Sequence, residues 1–186
     1  AITVGSYGTA TLDVCRQVII TSAGDDSANT FTISGTDWNG TPISENLTGA
    51  NAGVATSVLG YLTVTSITSS AAVASTLTVG TNTVAYSPWV RFDDYAATSA
   101  IAIQCTVSGT VNATVQQTLD DPTAFNNLSV YNSPTSMTWV NHPDSSLVAL
   151  TSTVQGNYAY QPAFARVKLN SGTGTVTTTF NQTGTW

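Results

Sequence analysis

One histidine, His142, stands in the run Trp139-Val140-Asn141-His142-Pro143, and it is the only imidazole in the 186 residues. An imidazole can serve as general base for a nucleophile when an acid orients it. Ser and Asp are abundant throughout, so their presence marks out no partner, and the chain has no Gly-X-Ser-X-Gly elbow. A surface or turn role is the stronger reading for His142. Three acid pairs, Asp25-Asp26, Asp93-Asp94 and Asp120-Asp121, stand in stretches that read as loops. Calcium takes oxygen ligands of this kind, but no EF-hand spacing is present and solvated turn acids account for the pairs. Glycoside cleavage needs two positioned carboxylates, and nothing among the ten acids singles out a pair. Zinc wants three or four clustered ligands, whereas Cys15, Cys105 and His142 are spread along the chain. The sequence predicts no catalytic residue, no cofactor and no metal site.

Aromatic side chains are the better candidates. Trp38, Tyr61, Trp89, Tyr95, Trp139, Tyr158, Tyr160 and Trp186 include several beside turns. Exposed rings form platforms for sugars, and Trp and Tyr anchor protein interfaces. Trp38, Trp89, Tyr158, Tyr160 and Trp186 are the candidate interface residues; core or turn packing is the competing role for each. Trp186 is expected to dock on its own domain or on a neighbour, because a bare indole is costly to leave in water.

The scarcity of charge limits the partners. Only 8% of residues are charged, against about 25% in an average domain. Net charge is −6, with four Lys plus Arg. Phosphate-binding surfaces need clustered cations, and Arg16, Arg91, Arg166 and Lys168 contain one close pair. Nucleic acid is therefore not an expected ligand, and an anionic membrane is disfavoured by the same argument. The apolar fraction of 41% still suffices to build a core. The Thr- and Ser-rich remainder suits either close contact with another protein or a solvated β surface.

The elements that must position these residues read as strands. No sustained apolar stripe of helical period is present, and a single helical turn is expected from Asp121-Pro122 to Asn127. Short β-type runs are separated by Gly, Asn, Asp and Ser clusters. Val18-Ile19-Ile20, Phe31 with Ile33, Ile43 with Leu47, Leu62-Val64 and Thr76–Val79 form the first half. Asn39-Gly40 reads as a type I′ turn. In the second half, Thr110–Thr118 aligns with Thr175–Thr183, each after a Ser-Gly pair, which suggests two similar hairpins. Cys105 shares an apolar face with Ile101, Ile103 and Val107, so a free buried thiol is favoured over a bridge to Cys15. The fold class is all-β: an antiparallel β-sandwich, jelly-roll-like, built as two packed subdomains over residues 1–86 and 87–186. The seam falls in Thr81–Pro88, and a single continuous sandwich is the alternative.

Several segments together resemble structural proteins of tailed bacteriophages. They include Ile20–Ser27, Phe31–Asp37, Asn39-Gly40, Thr48–Gly53, Val107–Val111, Asp120-Asp121-Pro122, Trp139–Pro143, Gly156–Tyr160 and Ser171–Gly174. The likeness is to capsid decoration (cement) proteins first, and to tail or fibre components second. It implies a non-enzymatic virion protein, assembled in the host cytoplasm without a secretion leader. Free cysteines would suit that compartment. It further implies the major capsid protein as partner, a homo-oligomer (dimer or trimer), and no role for nucleic acid or membrane. A carbohydrate- or receptor-binding module of a head or tail fibre is the alternative function.

Overall fold

The computed structural model describes residues 9–93, 100–121 and 137–183. Its strands form antiparallel sheets, and the helical element among the described residues is one 3-10 turn, Ser145–Leu147. Apart from Asp121, the expected helical turn lies outside the described residues. The chain divides into two compact units, Ala1–Ala85 and Tyr86–Trp186.

The first unit holds β1 (Ala10–Ser22), β2 (Thr30–Thr36), β3 (Pro42–Thr48), β4 (Val54–Thr56), β5 (Tyr61–Ser69) and β6 (Leu77–Tyr86), whose last residue opens the second unit. The strand order is β6-β1-β5-β2-β3, and β4 pairs with the end of β1 from Ile19 to Thr21. Strict alternation along β2 turns Phe31 and Ile33 inward and leaves Thr32 and Ser34 on the other face. Val18, Ile20, Ile43, Tyr61 and Ile67 complete this core. The outward positions bond sideways across the strands: Thr32 to Asn46 at 2.9 Å, Ser34 with Ser44 at 3.2 Å, Thr36 with Thr63 at 2.7 Å. Glu45 of β3 accepts the backbone N–H groups of Val58 and Leu59 at 2.9 and 2.8 Å, which ties the segment after β4 to the far side of the sheet.

One expectation is corrected here. Asn39-Gly40 is not a type I′ turn: Gly40 has φ +78°, but Asn39 is not in the left-handed region. Asp37 and Thr41 enclose a three-residue loop, with Gly40 N–H on Asp37 O and Asp37 N–H on Thr41 O. That is a type I turn closed by a left-handed glycine. The Asp37 carboxylate fixes it by accepting from Asn39 and Thr41 N–H. The division between the two units, Ala85/Tyr86, falls within the expected seam Thr81–Pro88, at the end of β6.

The second unit holds β7 (Val90–Arg91), β8 (Ala100–Ser108), β9 (Val111–Thr118), β10 (Val140–Asn141), β11 (Val154–Tyr158), β12 (Phe164–Gly172) and β13 (Thr175–Thr183). It is a sandwich. One layer runs β10-β9-β12, with β7 on β12; the other runs β11-β8-β13. Ile101, Ile103 and Cys105 of β8 meet Val111, Ala113 and Val115 of β9 and Ala165 and Val167 of β12 in a common core.

The two similar segments are not hairpins. β8 pairs with β13, from Ala100↔Thr183 to Ser108↔Thr175, and the same register resumes at Val111↔Gly172 between β9 and β12. Two long strands therefore run side by side as one ribbon, and the ribbon folds sharply at residues 109–110 and 173–174. Strands that switch sheets at a bend make the corner of a sandwich. Thr110–Thr118 and Thr175–Thr183 are the arms that leave this corner in opposite layers, which accounts for their likeness.

Glycine makes the corner passable. Gly109 and Gly172 have φ +80° and +114°. A Cβ on Gly172 would stand 2.3 Å from Thr110 O, and one on Gly174 2.4 Å from Ser108 O. Gly172→Ala is expected to cost about 2 kcal/mol or more, from left-handed strain plus the clash. Gly40→Ala, with open space around it, should cost about 1 kcal/mol. Urea unfolding of both variants checks this; equal losses would mean that the corner is not tightly closed.

Candidate functional site

The face of β12 turned away from the core carries the unit's unusual chemistry. Ala165, Val167 and Leu169 point to the core, so Phe164, Arg166 and Lys168 point the other way. They stand opposite Thr118, Gln116 and Thr114 of β9. Arg166 Nε donates to Gln116 Oε1 at 3.0 Å, and Gln116 Nε2 donates to Asn141 Oδ1 at 3.1 Å. This relay fixes the guanidinium plane between two rings. Its carbon lies 4.4 Å from the centroid of Tyr86 and 4.2 Å from that of Trp139. Trp139 meets Trp89 at 5.6 Å with a 51° tilt, and Trp89 meets Phe164 edge-on at 6.1 Å. Arg91 lies 5.9 Å over the Phe164 ring and pairs with Asp121 at 3.3 Å. Three of the chain's four cations, Arg91, Arg166 and Lys168, thus share a sheet face with a row of four aromatic rings.

Of the candidate interface residues, Trp89 belongs to this row. Tyr160 is exposed, at 49%, and its hydroxyl accepts a hydrogen bond from Gln117 Nε2. Trp38 is half-buried in the β2–β3 loop of the other unit. Tyr158 is corrected: it pairs with Ile101 on the inward face, contacts Phe92 edge-on at 6.0 Å and is buried in the core. Trp186 and Tyr95 lie outside the described residues. Position beside a turn does not mark Arg166, Phe164 or Tyr86 as site residues, and Trp139 is not among the five interface candidates. The alternation Phe164, Arg166, Lys168 against Ala165, Val167, Leu169 was the available signal.

His142 is a core residue. Its N–H donates to Val115 O at 2.9 Å, and its ring packs 4.6 Å from that of Tyr158. Nδ1 accepts the Asp144 N–H at 3.0 Å, so the neutral ring carries its proton on Nε2. In a catalytic triad Nδ1–H donates to the acid; here Nδ1 is the acceptor and the Asp144 carboxylate accepts from Ser146 N–H instead. Among the described residues no three His, Cys, Asp or Glu side chains converge as a metal site. Cys15 and Cys105 are both buried and are not bridged to each other. Burial pushes the Cys105 thiol up, against a hydrogen bond from Thr178 Oγ1 at 3.4 Å.

Comparison of the chain with protein-family models, curated proteins and solved structures finds no match in any of the three.

Desolvation lowers the pKa of His142 below its ordinary 6.5, against the opposing pull of Asp144. The unfolded chain therefore takes up this proton first as pH falls. Stability conferred by the neutral ring is complete above 6.5 and declines below it. His142→Asn offers an oxygen to the Asp144 N–H and does not titrate. Thermal melts from pH 7.5 downward should show a shallower acid decline in His142→Asn than in the wild type; parallel declines would sink the assignment.

Proposed function

We propose that this chain is a non-enzymatic virion structural protein that binds the outside of a phage capsid shell, with the major capsid protein as its partner. The observation that carries the reading is the row Tyr86, Arg166, Trp139, Trp89 and Phe164 on one sheet face. Trp, Tyr and Arg are the residues in which interface binding energy concentrates. A stacked guanidinium is weakly hydrated, so covering it costs less than covering an ammonium. The segments that resemble decoration proteins supply the identity of the partner. Binding that favours the assembled shell over its dissociated subunits stabilises the shell by mass action.

A carbohydrate-binding role in a fibre is the second reading. The exposed ring of Tyr160 and the half-buried pair Trp89 and Trp139 favour it, because sugars stack on such rings.

Purified chain mixed with undecorated shells should raise their resistance to heat. Arg91 is already paired with Asp121 within the chain and Arg166 is stacked between two rings, so added salt should weaken binding little. Trp139→Ala should reduce shell affinity by about 2 kcal/mol, roughly thirtyfold. Failure to bind shells, together with saturable binding to host surface glycans, would replace the decoration reading with the fibre reading.

A further inference from the structure

We propose that β13 is a dimerisation edge, along which two copies pair antiparallel and join their three-stranded layers into one sheet of six strands. This goes beyond the shell-binding reading and does not depend on it.

β13 ends the order β11-β8-β13, so among the described residues one side of its backbone has no strand partner. A row of unpaired N–H and C=O groups is a template for another strand, and proteins guard such edges with charge, proline, bulges or shortness. The other open edges among the described strands are guarded. β3 starts at Pro42 and carries Glu45, β11 is five residues long with Gly156 in the middle, β4 has three residues, and β7 and β10 have two each. β13 has none of these devices: Thr-Val-Thr-Thr-Thr-Phe-Asn-Gln-Thr, nine residues, pairs with β8 without a bulge.

Its burial carries the second observation. Val176 and Phe180 face the core and pack on it, yet both are only partly buried. Phe180 meets Phe92 edge-on at 5.7 Å. Across the strand from β8, no described strand covers them, and an added strand would.

The occupant is a second copy because the edge is self-complementary. A two-fold axis at Thr179 sets Thr179 against the partner's Thr179, Thr177 against the partner's Asn181 and Thr175 against the partner's Thr183. On the inward face Phe180 meets the partner's Thr178, and Val176 meets the partner's Gln182. Thr–Thr and Thr–Asn pairs stabilise neighbouring strands. Charge permits this pairing where it would oppose others: the chain is −6 overall, but β8, β11 and β13 hold no charged residue. Two copies can therefore align these layers without placing like charges opposite each other. The end of the strand is already fixed, since Asp93 N–H donates to Gln182 Oε1 at 2.9 Å and Gln182 Nε2 donates to Asp93 O at 3.1 Å. An isologous edge of this kind closes at two copies.

The test is sedimentation of the chain alone, so it is independent of shell binding. The wild type should sediment at twice the 19.2 kDa mass of one chain. The double variant Thr177→Lys, Thr179→Lys places charge on two exposed positions and should weaken association by roughly tenfold or more. A wild-type monomer at the highest soluble concentration, a trimer, or a folded double variant that remains fully dimeric would overturn the proposal. Hydrogen exchange of the wild type, needing no variant, gives the second measure. The edge amides of Thr175–Thr183 should gain protection as concentration rises, and unchanged exchange would overturn the proposal.

Discussion

The second unit depends on a close crossing of backbone at one corner. Thr110 O accepts hydrogen bonds from both Thr173 and Gly174 N–H, at 3.1 and 2.9 Å. Because Gly109, Gly172 and Gly174 lack side chains, the two strands stay in register while both bend. The central pairing of each layer follows from that bend. It sends β8 and β13 into one layer and β9 and β12 into the other, so the apolar positions of a single ribbon face each other across the core. Such a fold is held by contacts far apart in sequence.

The scarcity of charge has a matching consequence for the acids. Those that are described serve mostly as fasteners for backbone donors. Asp26 Oδ1 accepts from Ala74 N–H and from the Asn29 side chain, Asp37 closes the β2–β3 loop, Glu45 holds two N–H groups, and Asp144 caps the 3-10 turn. Asp13 forms an ion pair with Arg16, whose guanidinium holds the carboxyl down to about 2. Hydrogen bonds from the hydroxyl and N–H of Ser27 lower the pKa of Asp25, and those from Ser146 lower that of Asp144, which favours the charged form at both. The acid pairs that suggest calcium or hydrolysis in the sequence are, at Asp25 and Asp26, parts of the loop: Asp25 accepts both the N–H and the hydroxyl of Ser27.

Much of the fold was legible in the residues, because strand alternation is local. Phe31 with Ile33, and Ile101, Ile103 and Cys105, face inward as their spacing requires. What was not legible was long-range. The likeness of Thr110–Thr118 to Thr175–Thr183 pointed to two hairpins, since a Ser-Gly pair between β runs is the same signal whether the chain turns back or bends onward. Only the pairing of β8 with β13 distinguishes them. The candidate site was read in the same partial way. Trp89 stood out as an indole beside a turn. Arg166 did not, because its significance lies in Gln116 and Asn141 holding it and in Tyr86 and Trp139 enclosing it, and those residues come from distant parts of the sequence.

The two layers of the sandwich therefore differ chemically, although one ribbon supplies the centre of both. The β10-β9-β12 layer, with β7, carries Arg91, Arg166, Lys168 and the aromatic row. The β11-β8-β13 layer carries no charge and displays amides and hydroxyls. Oriented recognition requires directional groups, and the stacked Arg166 with its side-chain relay provides them. A neutral layer of Thr, Asn and Gln has little electrostatic preference of its own; its specificity must come from backbone pairing and register. Separating the two on opposite sides of one core keeps the cations away from the neutral layer. A chain with four cations can sustain only one such face, and here three of them are gathered on it.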